Sequence, residues 1–392
     1  MDSVGLSSTV SAAVLSGMLT VDTWAGGAKL PRDDVVPAWQ PFRLTGIIPA
    51  KSEGWFFARC LNKRATAQTR TRGRMIKRCQ LTLPIVADEP IDAVPDSAEA
   101  RSRGRSSTFI DNMRLPIHRW FRYSAGFSAE WVQQEVASRK GPVRVLDPFL
   151  GSGTTCLACD ALGVPSTGIE SHPFVRRVAQ AKLGYTADVG QFRQRAQAAF
   201  EFTNHAVARA DGYPALIQKC FSEETLDYLD RFRQAVDAQH DGSPESELLW
   251  LALVCSLRAV SEAGTAPWQY VLPGRRKTIP PAPPVALRKT VEMIAADISW
   301  MAQRATPLAS LQVDDARSCE TIPNGWANLV LTSPPYANNY DYADATRLEM
   351  TFLGEIQGWG DLQEHVRKHL VRACSQHVPP GSVDMDVVLD CP

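Results

Sequence analysis

Asp147-Pro148-Phe149-Leu150-Gly151-Ser152-Gly153-Thr154-Thr155 is the stretch that decides the fold of this chain. Just upstream, Val143-Arg-Val-Leu-Asp147 is a short apolar run ending in a carboxylate, which reads as a buried strand. Downstream, Thr155 to Leu162 reads as a helix, and Ser166-Thr-Gly-Ile-Glu170 as a second short strand that also ends in an acid. Strand, glycine turn, helix, strand, acid is the opening of a doubly wound α/β sheet. Gly151 and Gly153 allow a tight turn and a close backbone approach to a ligand. In open parallel sheets ligands bind beyond the carboxyl ends of the strands. There Asp147 can meet an ammonium group, and Glu170 stands where ribose hydroxyls are usually held.

Working outward, Phe127 to Val136 reads as a helix capped by Ser128. Residues from about 175 to 305 look helical. Ser222 caps one helix whose first turn is acidic, and Glu247 to Val260 is a strongly apolar helix. Gly274 to Pro284 is a basic, proline-rich loop that can be neither helix nor central strand. The sheet pattern returns with Leu311-Gln-Val-Asp-Asp315 and with Trp326 to Ser333, so a helical block, about 185–305, is inserted between the second and third strands. Residues 1–108 are poorly periodic, with a strand suggested only at Gln80 to Ala87, and are read as a basic N-terminal extension to a domain spanning 109–392.

The composition sets bounds. With 392 residues, 44% of them hydrophobic, the chain can build a large core. Its 42 basic and 42 acidic residues cancel, so only local patches can speak for nucleic acid. Such patches exist: nine Lys or Arg lie between Lys51 and Arg78 against Glu53 alone, and six Arg lie between Arg101 and Arg122 against Asp111 alone. Nine cysteines form no paired framework. Cys156-Leu-Ala-Cys159 has metal or redox spacing but falls within a helix and lacks partners at ligand spacing, so it reads as packing and no metal is expected. Reduced thiols suit a cytoplasmic protein. Val10 to Leu19 has no preceding basic residue and is broken by Ser and Gly, so it is not read as a signal peptide, and no run reaches membrane-spanning length.

Several further strings sharpen this picture: Thr332-Ser333-Pro334-Pro335-Tyr336 with its Asn-Asn-Tyr-Asp-Tyr continuation, His118-Arg-Trp-Phe, Gly126-Phe-Ser-Ala-Glu-Trp131, and Gly168-Ile-Glu-Ser-His-Pro173. With the glycine loop, and from about Asn112 to Gly354, they resemble the site-specific DNA methyltransferases that modify exocyclic amino groups. The resemblance implies a Rossmann-like sheet that binds S-adenosylmethionine. Asp147, Pro148, Phe149, Gly151, Ser152, Gly153, Thr154, Thr155 and Glu170 would hold that cofactor. Asp315 would contact its adenine amine, with Asp314 standing where the family usually has glycine. Trp120, Phe121 and Phe127 are candidate walls for its methionine end, or else ordinary core aromatics.

Chemistry explains the second motif. An exocyclic amino nitrogen is a poor nucleophile because its lone pair is delocalised into the ring, so acceptors must hold its hydrogens while the lone pair turns toward the methyl group. Ser333 Oγ and the Pro334 carbonyl are placed for this, the prolines stiffen the turn and remove donors, and Tyr336 offers a face to an extruded base. Catalysis is then mostly positioning, with no covalent nucleophile. Within the family a leading Ser leans toward N4 of cytosine, with N6 of adenine as runner-up. Double-stranded DNA is the implied partner, and a restriction-modification or phage-defence setting the implied context. An RNA substrate ranks lower, since no RNA-binding module is recognisable.

The chain departs from the family after Tyr336. Only 56 residues follow, read as a helix near Ala345 to Leu353, another near Leu362 to Gln376 and a strand at Val383 to Leu389. The sheet is therefore expected to be incomplete at its C-terminal end by at least two strands. That leaves room for a partner chain that completes it, or for a truncated or split chain that binds cofactor or DNA without turnover.

Overall fold

In a computed structural model the described residues are 109–371, apart from 124, 267–268, 278 and 337–339, together with the backbone of residues 11–15 and 18–22. The chain divides into two compact units, Met1–Lys29 with Arg105–Pro392, and Leu30–Gly104; all described residues belong to the first. The strand expected at Gln80 to Ala87, the one at Val383 to Leu389 and the part beyond 371 of the helix expected near Leu362 to Gln376 lie outside the described residues; within them that helix ends at His365.

In chain order the elements are β1 (Ser11–Leu15), β2 (Met18–Asp22), α1 (Ala129–Ala137), β3 (Val145–Asp147), α2 (Thr154–Asp160), β4 (Ser166–Ile169), α3 (Pro173–Leu183), α4 (Val189–His205), α5 (Ala215–Cys220), α6 (Glu223–Ala238), α7 (Pro244–Val260), β5 (Ala263–Thr265), β6 (Val271–Arg276), α8 (Pro283–Met301), β7 (Ala309–Gln312), β8 (Leu329–Thr332), α9 (Arg347–Leu353) and α10 (Asp361–His365). Ser caps start three helices, Ser128 and Ser222 as the sequence signals and Ser243 in addition: they accept from the amides of Trp131, Thr225 and Ser246.

The main sheet runs β1-β2-β8-β3-β4-β7. Four adjacent members, β8, β3, β4 and the edge strand β7, are parallel, with Val145 opposite both Ser166 and Leu329 and Ile169 opposite Gln312. The chain leaves β3 toward β4 and β7 and returns to β3's other side as β8. The strand order therefore reverses at β3, and the carboxyl ends of β3 and β8 frame the crevice where such sheets bind ligands. The fold class read from the sequence is thus the one observed, an α/β fold with a mostly parallel central sheet.

The edge beyond β8 differs from expectation. It carries β2, paired antiparallel with Leu19 opposite Thr332, and β1 outside it. Two strands from the N-terminal stretch occupy this edge, where the sequence after Tyr336 had offered only Val383 to Leu389 as a candidate. A short hairpin among Ser and Gly gives little alternation to read, and its partner lies far along the chain.

Between β4 and β7 stand α3 to α8, interrupted by the hairpin β5–β6. That hairpin claims Gly274-Arg275-Arg276, which the sequence had assigned to a loop; it forms a separate two-stranded sheet and no central strand. The helices enclose a core that includes Phe174, Tyr185, Phe192, Phe232 and Trp250, with α7 buried along most of its length. Against the sheet, α1 and α2 bury Phe127, Val132, Ala158 and Cys159 on Val145, Leu329 and Leu331. Cys156 and Cys159 are both buried, and burial pushes both thiols up, Cys159 to about 12, which removes them from thiolate chemistry. At the end of α2, Asp160 accepts from Tyr185 Oη (3.0 Å) and from the amides of Leu308 and Ala309 (2.9 Å each), which seats the start of β7. Among the described residues no helix is long and apolar enough to cross a membrane.

Candidate active site

The glycine loop turns from β3 into α2 through Gly151 (φ 57°) and Gly153 (φ 94°), left-handed positions that favour glycine. A Cβ on Gly151 would also stand 3.0 Å from the Tyr123 ring. Asp147 is fully buried behind the loop. Its carboxylate accepts from the Phe149 amide (3.0 Å), from Thr332 Oγ1 at the end of β8 (2.7 Å) and from Thr155 Oγ1 in α2. Burial outweighs these donors and pushes the carboxyl up to about 6. One side chain thus ties the first strand, the helix after it and the strand that carries the second motif.

Glu170, just past β4, accepts from the amides of Gly151 and His172, each at 2.7 Å, and so sets the path of the glycine loop from the neighbouring strand. Its carboxyl is buried, which pushes it up to about 7 against those two donors. His172 is buried too, and its imidazole is pushed down to about 3, hence neutral. Its Nε2 lies 3.0 Å from Thr346 Oγ1, whose own proton goes to the Ala343 carbonyl, so the ring nitrogen donates here.

The second motif follows β8 directly. Ser333 Oγ lies 3.4 Å from the Tyr336 hydroxyl, too long for a strong bond. The Tyr336 amide donates to Tyr342 Oη at 3.1 Å, and the Tyr336 side chain is 38% exposed. Behind it Tyr340 stacks on Tyr270 (5.6 Å between centroids) and meets Tyr342 edge-on (4.5 Å), while Tyr270 Oη accepts from the Asp341 amide at 2.7 Å.

Both motifs open onto one cleft. Of the residues singled out in the sequence, Pro148, Phe149, Gly151, Ser152, Thr154, Glu170, Ser333 and Pro335 line it, as does Phe127. Gly153 and Thr155 lie behind, at the start of α2. Trp120 and Phe121 belong to the core: the Trp120 indole donates to Asp297 (2.8 Å), and Phe121 packs on Phe174. Asp315 stands outside the cleft lining, half-exposed and paired with Arg317, whose hydrogen bonds hold its carboxyl low. Asp314 bonds Thr321, and its carbonyl accepts from Ser171 Oγ (3.3 Å), which joins this third loop to the cleft wall. The sequence reading gave no site role to Tyr123, Ser171, His172 or Tyr342, which also line the cleft. Three of these four lie inside strings already quoted for their resemblance.

The lining suits a polar, partly cationic nucleoside. Glu170 has lone pairs left for hydroxyl donors, the glycine loop admits close approach, and Ser152 Oγ is buried with no partner of its own. Among the described residues no His, Cys, Asp and Glu cluster could hold a metal ion.

The N6/N4 DNA methylase family model matches residues 137–181, from the end of α1 through the glycine loop and β4 into α3. That segment is similar to DNA methylases. The family likeness extends further along the chain. It is 27% identical over 274 residues to the type II methyltransferase M.BsoBI of Geobacillus stearothermophilus, covering 62% of this chain and 54% of that protein. It is 22% identical over 277 residues to the type II methyltransferase M.AvaI of Nostoc sp. and of Anabaena variabilis, covering 63% and 56%. The chain spans about half the length of these methylase relatives. No solved structure matches it.

Proposed function

We propose that this chain transfers a methyl group from S-adenosylmethionine to the exocyclic amino nitrogen of a base extruded from double-stranded DNA, N4 of cytosine, within a type II restriction-modification system. One observation carries the reading: the methylase glycine loop and the Ser333–Pro335 turn face each other across a single cleft. The type II methyltransferase relatives support the setting, and the leading Ser of the turn supports cytosine over adenine.

S-adenosylmethionine supplies a methyl group already activated on a sulfonium. Glu170 binds ribose hydroxyls with its free lone pairs, Ser152 Oγ meets a polar atom of the ligand, and Asp147 fixes the loop and places negative charge behind the ammonium end. Asp315, released from Arg317, reaches the adenine amine. Ser333 Oγ and the Pro334 carbonyl hold the two amino hydrogens of the base, Tyr336 stacks on its ring, and the Pro335 side of the turn excludes water. Exposed Arg275 and Arg276 at the end of β6 contact phosphates, together with the basic stretches at 51–78 and 101–108, which lie outside the described residues.

Labelled methyl transfer to unmethylated DNA, followed by nucleoside mass spectrometry, tests this. N4-methylcytosine is expected, and Ser333→Ala should lower the rate about a hundredfold while leaving cofactor affinity within a few-fold. N6-methyladenine would overturn the base, and no product from a chain that binds cofactor would overturn turnover by this chain alone.

Glu170 gives the site a pH signature. Hydroxyl donors favour its ionised form, so cofactor binding pulls the carboxyl below about 7 and releases a proton. Affinity therefore rises with pH, by up to about tenfold per unit below neutrality, and levels off near pH 8. In the free protein the sign is opposite: the raised carboxyl contributes stability below its ordinary 4.5 that is lost as pH rises through about 7. Calorimetric titrations of cofactor at pH 6, 7 and 8 check this; a flat profile, or the same slope in Glu170→Gln, speaks against the assignment.

A further inference from the structure

Among the residues that bear on the Ser333–Tyr336 turn, one was given no site role by the sequence reading. Prolines 334 and 335 carry no N–H, so the Tyr336 amide is the one backbone donor in the last three residues of the turn. That donor matters because the turn must present acceptors alone to an amino group; an N–H competing for the Ser333 oxygen or facing the base would oppose the substrate's own hydrogens. The Tyr342 hydroxyl takes this N–H at 3.1 Å and also lines the cleft. We propose that Tyr342 is a positioning residue for methyl transfer: its hydroxyl oxygen sequesters the Tyr336 amide and sets the turn so that Ser333 Oγ and the Pro334 carbonyl both face the base. This inference rests on the methyltransferase reading of the cleft.

The surroundings fit that task. The Tyr342 ring meets Tyr340 edge-on at 4.5 Å, Tyr340 stacks on Tyr270, and Tyr270 Oη receives the Asp341 amide, so the ring has little freedom to turn. Asp341 accepts in addition from the Ala343 amide and pairs with Arg367 at 2.6 Å, which anchors the backbone on the far side of Tyr342. Burial pushes the Tyr342 hydroxyl up to about 12, so it stays protonated across the working range and its role does not titrate. The hairpin β5–β6 is thereby linked through Tyr270 to the turn, although Tyr270 lies far from it in sequence.

The test is Tyr342→Phe, which keeps the ring and deletes only the acceptor. Two readouts are taken on the full chain: steady-state methylation of DNA with the cofactor affinity measured separately, and amide hydrogen exchange of the peptide containing Tyr336. The expected result is a fall in kcat of about tenfold or more with cofactor Kd and melting temperature unchanged, together with faster exchange at Tyr336. Unchanged exchange overturns the proposal, and so does an unaltered kcat in a wild type that is active. A loss of cofactor affinity in step with kcat also overturns it, in favour of a general packing role. A wild type that makes no methylated base removes the methyltransferase reading itself; faster exchange in the variant then still establishes what the Tyr342 hydroxyl does to the turn.

Discussion

Arg258→Ala is expected to destabilise the protein by about 3–5 kcal/mol, the range for removing one partner of a buried ion pair. Arg258, near the end of α7, grips fully buried Glu349 with Nε and Nη2 (2.5 and 2.9 Å). Two further hydrogens go to the Gln269 carbonyl in the β5–β6 hairpin and the Ala345 carbonyl before α9, both at 2.7 Å. Alanine leaves a carboxylate without countercharge inside the protein and releases two backbone segments that flank the Tyr336 turn. Arg258→Lys should recover only part of the loss, because an ammonium cannot serve the fork and both carbonyls together. Thermal or denaturant unfolding measures these differences. Adding Glu349→Gln to Arg258→Ala should restore about 1–2 kcal/mol, since the unpaired charge causes part of the cost and the lost hydrogen bonds the rest. An Arg258→Ala variant within about 1 kcal/mol of the parent would mean that water or rearrangement already satisfies Glu349.

Asp147→Ala should cost about 3 kcal/mol, because three donors lose one acceptor in a site closed to solvent. The damage reaches three elements together: the Phe149 amide in the glycine loop, Thr155 in α2 and Thr332 at the end of β8. Asp147→Asn should lose only about 1 kcal/mol, as its carbonyl oxygen keeps two donors and the Thr155 hydroxyl can turn to accept. A melting temperature about 5–10 °C lower for alanine, with asparagine close to the parent, is the expected pattern. Equal losses for both variants would show that charge, and not hydrogen bonding, is what this position supplies.

The parts of the structure that were legible in the sequence are those fixed by neighbours along the chain. A glycine loop between two short apolar runs announces β3, α2 and β4, and serine followed by acids announces where α6 begins. The crevice was legible for the same reason, since motifs at strand ends converge once the strands are parallel. Pairings that join distant segments were not. Nothing local marks Met18–Asp22 as the partner of Leu329–Thr332, and nothing in Gln269 or Tyr270 says that a hairpin will lean on the loop after Tyr336. Asp147 shows a subtler gap. A carboxylate at a strand's end looks the same in sequence whether it faces a ligand or, as here, is enclosed by two threonines and an amide.

The seat that Asp160 provides for β7 has a consequence in time. Ile169 and its partner Gln312 are neighbours in the sheet but lie 143 residues apart in the chain. On a ribosome adding roughly 5–20 residues each second, about 7–30 s pass between their appearances. Throughout that interval the outer side of β4 is an unpaired edge, open to other chains. The intervening helices make mostly local contacts and can fold within the wait. Nascent-chain capture of the edge of β4 should therefore decline only once Asp160 has received Leu308 and Ala309, and a variant lacking that carboxylate should show its defect during synthesis more than in the finished protein.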